Sequence, residues 1–390
     1  MSGGVDSSVT ALLLSAQGGS APGGKKYDVV GIFMRSYNID GCAETDAEDA
    51  RRVAGKLSIP FYVWDFEEEY KKKVVDYMVE GYRKGLTPNP DVMCNKEIKF
   101  GLFLEKALKF GADYVATGHY VRLGLSTNSE SIANLRIKNS KFVNSKIIRY
   151  SLMVAKDKNK DQSYFLWILN QKQLKHCLFP IGNYQKSEVR AIAKKAGLST
   201  AEKKDSQGIC FLGKVTLADF LGSYLPAKRG AVLNIAGKVI GKHSGAHFFT
   251  IGQRHGLASG DWKRTPGTSK PFYVSEKNVR KNTIVVAEGE NDESLFKKEV
   301  KLTDINKITN FKLPISVMAR VRYRQPVFKA SLEQGKGKGL KLVFGKPQKF
   351  VAAGQSAVFY ININEDPSSP SARSGRSSGE LRMLGGGVIK

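Results

Sequence analysis

The sequence predicts an α/β domain with a doubly wound parallel sheet, followed by a small central β domain and a C-terminal β-barrel. Helix and strand patterns alternate over the first 120 residues, and after about residue 213 they give way to short strands with glycine turns. From residue 300 onward, β patterns continue without a long helix. Alternating strands and helices are typical of parallel sheets, and closely spaced short strands of small barrels. We expect domain limits of 1–212, 213–290 and 291–390.

Hydrophobic periodicity defines the elements of the first domain. Residues 27–34 are apolar on both faces, as expected for a buried parallel strand, and residues 61–64 and 114–117 form further short strands. Helical patterns alternate with these strands, over residues 9–15, 46–57, 67–85, 98–110 and 185–197. In the last domain, strands are predicted over residues 316–323, 341–344 and 355–361.

Three low-complexity stretches interrupt this pattern and are interpreted as insertions. Residues 17–26 are rich in glycine and proline, which cannot continue a helix, and residues 125–146 are rich in serine and asparagine. Residues 366–382 combine serine, glycine and arginine, a composition typical of disordered chain, and we expect a disordered hairpin tip there.

The charge balance indicates a polyanionic partner. Lys and Arg number 62 against 36 Asp and Glu, a net charge of +26, and nucleic acid is the commonest partner of so basic a chain. A generally basic proteome is the alternative explanation. The sequence contains neither an apolar run of membrane-spanning length nor a signal peptide. We expect a cytoplasmic protein that has no membrane partner, with a mitochondrial or other organellar matrix as the alternative.

The phosphate-loop candidate is the segment SGGVDSS, comprising Ser2, Gly3, Gly4, Val5, Asp6, Ser7 and Ser8. Two glycines followed by small hydroxyl residues at the start of a helix can form a backbone N–H cradle for phosphate. The segment lacks the GK[ST] ending of a Walker A loop. Its composition alone is equally compatible with an ordinary surface turn.

Two of the four cysteines lie in settings that suit chemistry. Cys94 is expected just before a helix, where a thiol becomes more reactive, and Asp91 could serve it as an acid or base. A buried structural cysteine with an aspartate cap fits the same pattern. Cys210 lies in a glycine-flanked loop that suits a cysteine receiving sulfur from a partner. Cys177 occupies an apolar run and is expected in the core, and Cys42 is not expected to be catalytic.

The motifs as a set resemble a known enzyme family. The segment SGGVDSS resembles the pyrophosphate loop of the ATP-pyrophosphatase superfamily. Together with TPNPDVMCNKEIKFG, ATGHY, KDQSYFL, DSQGICFLG, TIGQRHGL, RVRYRQ and GQSAVFY, it appears in the order found in tRNA-specific 2-thiouridylases. The resemblance runs nearly end to end and implies a pyrophosphatase-type domain, a small central β domain and a C-terminal β-barrel.

The resemblance implies that ATP adenylates the C2 oxygen of the wobble uridine, U34, and that sulfur replaces this oxygen. Cys210 would carry the persulfide and Cys94 would act as the nucleophile, ending in a Cys94–Cys210 disulfide, with Asp91 as acid or base. Which sulfur atom attacks C2 stays open. ATP would be bound by residues 2–8 of the loop together with Met34 and Gly118. No metal site made by the protein alone is expected, and Mg²⁺ would arrive with ATP, with Asp6 as its protein ligand.

The resemblance also implies a set of RNA contacts and partners. The flipped target base would meet Asn89, Pro90 and Asp91. The rest of the tRNA would meet His119, Lys160, Asp161, Gln162, Arg322, Tyr323 and Gln355. The expected substrates are tRNAs for Lys, Glu and Gln, and the expected sulfur source is a relay protein or a cysteine desulfurase. Read as a strand, Arg320, Arg322 and Arg324 would share one face, which could contact RNA or only solvent.

The sequence departs from the superfamily at one point and leaves alternatives open. An apolar strand normally precedes the loop, and we expect the native chain to start several residues upstream of Met1. An argininosuccinate-synthase-like ligase, or a thiolase acting elsewhere on tRNA, leaves Cys94 and Cys210 unexplained. An iron–sulfur-dependent thiolase would normally show a CxxC pair, which the sequence lacks; a cluster held by Cys94, Cys210 and a third ligand is the less favoured arrangement. Asp6, Asp91 and the two cysteines argue against a purely RNA-binding protein.

Overall fold

A computed structural model describes residues 1–15, 27–37, 39, 41–126, 149–204, 211–213, 215–254, 270–337, 339–363 and 380–390 of the 390-residue chain. The predicted insertion 17–26, most of 125–146 and most of 366–382 lie outside this part of the chain. No helix within it is long and apolar enough to cross a membrane.

The first domain has the predicted α/β character. Its strands include two parallel pairs, in which Gly31 lies opposite Phe61 and Val115 opposite Cys177. The strands are β1 (Gly31–Arg35), β2 (Phe61–Asp65), β3 (Val115–Ala116), β4 (Val121–Ser126), β5 (Arg149–Val154) and β6 (Cys177–Leu178). The helices are α1 (Val5–Leu14), α2 (Cys42–Lys56), α3 (Glu67–Tyr70), α4 (Asp76–Arg83), α5 (Pro90–Met93), α6 (Phe103–Lys109), α7 (Gln171–Leu174) and α8 (Lys186–Lys195).

The helices of the first domain form two separate apolar clusters, as expected for a doubly wound domain. One cluster joins α1, α2 and α8 through residues such as Val9, Val53 and Val189. The other joins the helices between residues 67 and 109, and Ile32 and Met34 of β1 pack against it. The phosphate-loop candidate overlaps the first turn of α1, and its Val5 belongs to the first of these clusters.

The helix near Cys94 begins earlier than the sequence analysis predicted. It starts at Pro90, and the Asn89 side chain caps it by accepting a hydrogen bond from the Val92 amide. Asparagine at the N-cap and proline in the first turn both favour a helix start. The chain then continues through a π-helical segment, Cys94–Leu102, into α6. Cys94 therefore lies inside the helical run, and the expectation that it precedes the helix was wrong.

The central domain contains α9 (Leu217–Gly222) and a four-stranded sheet of order β8-β7-β10-β9. Val232, Val274 and Ile284 form its fully buried core. The strands are β7 (Gly230–Asn234), β8 (Val239–His243), β9 (Phe272–Asn278) and β10 (Thr283–Glu288).

The C-terminal domain is a closed six-stranded barrel of order β11-β14-β13-β12-β15-β16, with β16 pairing back to β11. The hairpin β4–β5 of the first domain extends the same sheet through the pairing of Met153 with Arg382. The six strands of the barrel are β11 (Phe296–Lys307), β12 (Ile315–Arg320), β13 (Phe328–Gln334), β14 (Leu340–Lys349), β15 (Ser356–Asn362) and β16 (Leu381–Ile389).

The predicted arginine face in this barrel does not exist. Strand β12 ends at Arg320, whose side chain is buried, whereas Arg322 and Arg324 are exposed in the turn that follows. Arg324 has a left-handed backbone, with φ of 64°. Arg320 instead turns inward and forms an ion pair with Asp161.

Candidate active site

The phosphate-loop candidate forms a tight turn held by its own hydroxyl groups. The Ser7 hydroxyl accepts a hydrogen bond from the Ser2 amide at 3.1 Å and donates to the Gly4 carbonyl at 3.0 Å. The buried Ser8 hydroxyl also donates to Gly4, at 2.9 Å. Gly3 has φ of 66°, and a Cβ there would lie 2.4 Å from the Asp46 carbonyl oxygen. The turn therefore requires glycine at this position.

Asp6 is the charged centre of the loop. Its carboxylate accepts hydrogen bonds from the Lys186 ammonium at 2.7 and 2.8 Å and from the Tyr120 hydroxyl at 2.8 Å. Lys186 is the first residue of α8, and its side chain is largely buried. Neither Lys186 nor Tyr120 was predicted from the sequence, since both are distant from Asp6 along the chain. A lysine beside a glycine-rich turn at a helix N-terminus is suited to binding phosphate.

Gly118 and Met34, the two residues expected beside the nucleotide, lie in different surroundings. A Cβ at Gly118 would come within 2.8 Å of the Ser7 amide nitrogen, so the ATGHY segment packs directly on the loop. Met34 lies on β1 and packs against the helical cluster that contains Cys94. Of the two residues, Gly118 is thus the one that contacts the loop directly.

Asp91 and Cys94 lie one helical turn apart. The Cys94 amide donates to the backbone carbonyls of Pro90 and Asp91, and the Cys94 side chain is buried, with 2% of its surface exposed. Burial raises the pKa of the Asp91 carboxyl group, and the nearby Lys99 charge opposes this rise. A carboxyl group with a raised pKa is suited to proton transfer near neutral pH.

Lys99 is a second charged group that the sequence analysis missed. Burial and then the charge of Lys99 hold the pKa of His119 well below its usual range, so this imidazole is neutral. His119 is buried, hydrogen-bonded to the Thr117 hydroxyl at 2.8 Å, and lies beside the ring of Phe100. Lys99 thus acts electrostatically on Asp91, which is predicted to meet the target base, and on His119, which is predicted to meet the rest of the tRNA.

The residues around Cys210 are partly described, although Cys210 itself lies outside the described residues. Phe211, which follows it, is buried against the rings of Tyr70 and Phe220. On the other side of the loop, the Lys203 ammonium binds the carboxylates of Asp46 and Asp49 at 2.7 and 2.5 Å. Burial opposes the positive charge, but the two hydrogen bonds raise the pKa of Lys203 overall. The described residues on both sides of Cys210 therefore contact side chains of the first domain.

The predicted tRNA contacts fall into exposed and interior positions. Arg322 is exposed, and Tyr323 packs on Phe165 with ring centroids 4.3 Å apart. Lys160 and Gln162 are half-buried. Asp161 is instead buried in an ion pair with Arg320, so its carboxylate does not reach the surface as a tRNA contact would.

Gln355 joins the barrel to the segment that precedes Cys94. Its side-chain amide donates to the carbonyls of Thr87 and Pro88 at 2.9 and 3.3 Å, and the Thr87 amide donates to Ala353 at 2.7 Å. These bonds fix the loop that leads into Asn89, Pro90 and Asp91 against the barrel. Gln355 therefore positions the predicted base-binding segment in this conformation.

The described part of the chain contains no cluster of three or more His, Cys, Asp or Glu side chains that could hold a metal ion. Cys177 donates from its Sγ to the Gln173 carbonyl, and burial raises the pKa of its thiol to about 12. It is a core residue, as predicted, and Cys42 is exposed at the start of α2.

Three family models cover most of the chain in sequence order. Residues 1–214 match a tRNA methyl transferase HUP domain, 218–288 a tRNA methyl transferase PRC-barrel domain, and 295–365 an aminomethyltransferase β-barrel domain. The succession of an α/β domain, a small β domain and a barrel agrees with the fold described above.

Curated relatives similar to this chain carry a thiouridylase name rather than a methyltransferase name. The tRNA-specific 2-thiouridylase MnmA 2 of Geobacillus kaustophilus is 44% identical, over 92% of this chain and 90% of the relative. The tRNA-specific 2-thiouridylase MnmA of Alkaliphilus oremlandii is 43% identical over 93% of both chains. That of Listeria monocytogenes is 44% identical, over 92% of this chain and 90% of the relative. The chain therefore belongs to the tRNA-specific 2-thiouridylase family.

Proposed function

We propose that this chain is a sulfurtransferase that uses ATP to replace the C2 oxygen of the wobble uridine of tRNA with sulfur. The products are 2-thiouridine, AMP and pyrophosphate. Family membership over nine-tenths of the chain carries the proposal. The arrangement of Asp6 and Lys186 at the phosphate loop, with Cys94 and Asp91 on a separate helix, supports it.

The geometry around the N-terminus of α1 fits the phosphates of a nucleoside triphosphate. The first amides of a helix have no intrahelical partner, and in α1 they follow directly on a turn that only glycine can form at residue 3. Lys186 would exchange its bonds to Asp6 for bonds to phosphate oxygens. Asp6 would then be available to Mg²⁺, which would neutralise charge on the departing pyrophosphate. Ser2, Ser7 and the backbone of residues 3–8 would complete the site, with Gly118 and Met34 beside the adenosine.

Sulfur would replace the C2 oxygen after ATP has activated this oxygen. The C2 oxygen of uridine displaces pyrophosphate from the α-phosphorus of ATP, which turns this oxygen into part of a good leaving group. The Cys94 thiolate attacks the inner sulfur of the Cys210 persulfide, forming a Cys94–Cys210 disulfide and releasing hydrosulfide. Hydrosulfide adds to C2 and AMP leaves. A thiol reductant then restores both cysteines, and Asp91 is the group placed to move protons.

The remaining assignments are proposals on the same basis. The target base would meet Asn89, Pro90 and Asp91, and the tRNA body would meet Lys160, Gln162, Arg322 and Tyr323. The substrates would be tRNAs for Lys, Glu and Gln, with a relay protein or cysteine desulfurase as sulfur source. We infer a cytoplasmic location from the bacterial relatives, and domain limits at 212/213 and 290/291.

The test is thiolation of an unmodified tRNA transcript. The full chain is incubated with transcript, ATP, Mg²⁺, a persulfide donor and a thiol reductant, and nucleosides are identified by mass spectrometry. We expect 2-thiouridine at the wobble position only when ATP is present, with pyrophosphate release that depends on tRNA. A folded chain that binds tRNA without releasing pyrophosphate or forming thiouridine would instead be an RNA-binding protein.

Replacing Lys99 with methionine is expected to shift the pH dependence of this activity. Lys99 lowers the pKa of Asp91 against the effect of burial, so its removal lets this pKa rise further. The limb of the kcat/KM profile that reports Asp91 should therefore move to higher pH, whether Asp91 acts as acid or base. Asp91→Asn should remove that limb.

Lys96→Met is the matched control for this measurement. Lys96 lies in the same helical segment, but its ammonium is exposed and 3.4 Å from the Glu97 carboxylate. Its removal should leave the pH profile unchanged. A profile that is identical in wild type and Lys99→Met would exclude Asp91 as the titrating group or Lys99 as its neighbour.

A further inference from the structure

Two predicted tRNA-binding segments are joined by one buried ion pair. Asp161 lies between Lys160 and Gln162, and Arg320 lies two residues before Arg322. The Arg320 Nη2 is 2.5 Å from the Asp161 Oδ2, and the two side chains are 8% and 1% exposed. The first residue belongs to the α/β domain and the second to the barrel, so the pair ties one domain to the other.

Both members of the ion pair make further hydrogen bonds. The Asp161 Oδ1 accepts from the amides of Ala155 and Ser163 at 3.1 and 3.3 Å, and its Oδ2 accepts from the Ser163 hydroxyl at 2.9 Å. The Arg320 guanidinium also donates to the Tyr360 hydroxyl at 3.0 Å. Buried charges persist only with such partners, and loss of one partner leaves the other uncompensated.

The same segment continues directly to the phosphate loop. The Gln162 side-chain Oε1 accepts a hydrogen bond from the Tyr120 backbone amide at 2.9 Å. The Gln162 backbone amide in turn donates to the Tyr120 carbonyl at 2.9 Å. The Tyr120 hydroxyl then donates to the Asp6 carboxylate at 2.8 Å. Gln162, the neighbour of Asp161, thus makes two hydrogen bonds to Tyr120, which itself binds Asp6.

We propose that Asp161 and Arg320 are positioning residues. Through Gln162 and Tyr120, they make the position of the Asp6 carboxylate depend on whether tRNA is bound to the barrel. This inference rests on the proposed function. The tRNA would contact the exposed groups beside each member of the pair, Lys160 on one side and Arg322 on the other. Immobilising those segments would fix Gln162, Tyr120 and Asp6 in the geometry that binds ATP. ATP would then be used mainly when the RNA substrate is present.

The proposal predicts a coupling between two binding equilibria that is reciprocal by linkage. The dissociation constant of a non-hydrolysable ATP analogue with Mg²⁺ is measured on the full chain, with and without a tRNA transcript. In the wild type, tRNA should tighten nucleotide binding by roughly fivefold or more. In Tyr120→Phe, which removes only the hydroxyl that binds Asp6, the ratio of the two constants should fall towards one. Affinity for tRNA measured without nucleotide should stay unchanged.

Tyr164→Phe is the matched control, because Tyr164 is also a buried tyrosine, but its hydroxyl joins the first domain to the barrel. It donates to the Ser356 carbonyl at 2.8 Å and has no bond to the loop. This variant should keep the wild-type ratio. Asp161→Asn, which retains an oxygen for the two amides but loses the charge, should lose the coupling as Tyr120→Phe does.

Each outcome decides. The proposal is overturned if the ratio of the two dissociation constants is one in the wild type, or if it is unchanged in Tyr120→Phe. It is also overturned if Tyr120→Phe and Tyr164→Phe lose the coupling equally, which would indicate general loosening between the domains. If Asp161→Asn fails to fold, Tyr120→Phe alone decides. A wild type that forms no thiouridine refutes the proposed function; one that thiolates but shows no coupling refutes only this inference.

Discussion

Replacing Cys94 with serine is expected to abolish thiolation, by on the order of a thousandfold or more, as for other enzymes that lose their nucleophile. A hydroxyl is nearly the size of a thiol, so the buried site should keep its packing, but serine cannot form a disulfide with Cys210 to release sulfide. Adenylation should survive, because the phosphate loop is on another element. We therefore expect pyrophosphate release without 2-thiouridine. One reaction is assayed both for released pyrophosphate and, by nucleoside analysis, for 2-thiouridine.

The chain offers two matched controls for this substitution. Cys177→Ser replaces another buried cysteine, which donates to the Gln173 carbonyl and whose pKa burial raises to about 12. Cys42→Ser replaces an exposed one. Both should retain thiolation, and Cys210→Ser should lose it as Cys94→Ser does. Thiouridine formed at the wild-type rate by Cys94→Ser would remove Cys94 from the mechanism and with it the proposed disulfide.

The sequence predicts what depends on neighbours along the chain. Strand β2 was expected over 61–64 and occupies Phe61–Asp65, and α8 was expected over 185–197 and occupies Lys186–Lys195. Periodicity and turn residues are local, so such elements can be read directly. The start of the helix at Pro90 was also readable, because asparagine followed by proline favours a helix start, but the helix was predicted only from residue 98.

Contacts between distant residues could not be obtained from one sequence. Lys186 and Tyr120 reach Asp6 across 180 and 114 residues, and no periodicity connects them. Asp161 illustrates the same limit: its motif predicted a surface role, but a carboxylate can be buried where a partner compensates its charge. That partner, Arg320, lies 159 residues away and was predicted to face outward on a strand.

Replacing Asp6 with asparagine is expected to slow tRNA-dependent pyrophosphate release by roughly a hundredfold or more, the usual cost of losing one group that stabilises charge in a transition state. In the structure its carboxylate neutralises Lys186 and orders Tyr120. Asparagine keeps the shape but loses the charge that would bind Mg²⁺ and hold Lys186 in place. Thiouridine formation should fall in proportion, because no sulfur can enter at an unactivated C2. Affinity for tRNA, measured without nucleotide, should be unchanged.

Asp65→Asn is the control for the loss of one negative charge in the same domain. Asp65 ends β2, is exposed, and lies 3.8 Å from Arg35, so its removal should affect neither reaction. The comparison separates a defect in the nucleotide site from a change in net charge. If Asp6→Asn releases pyrophosphate at the wild-type rate, the loop does not handle Mg²⁺–pyrophosphate through this carboxylate. If it releases none but still thiolates, C2 is activated without ATP, and the proposed order of steps is wrong. Loss of both activities together, with tRNA binding intact, is the result that the contact between Asp6 and Lys186 predicts.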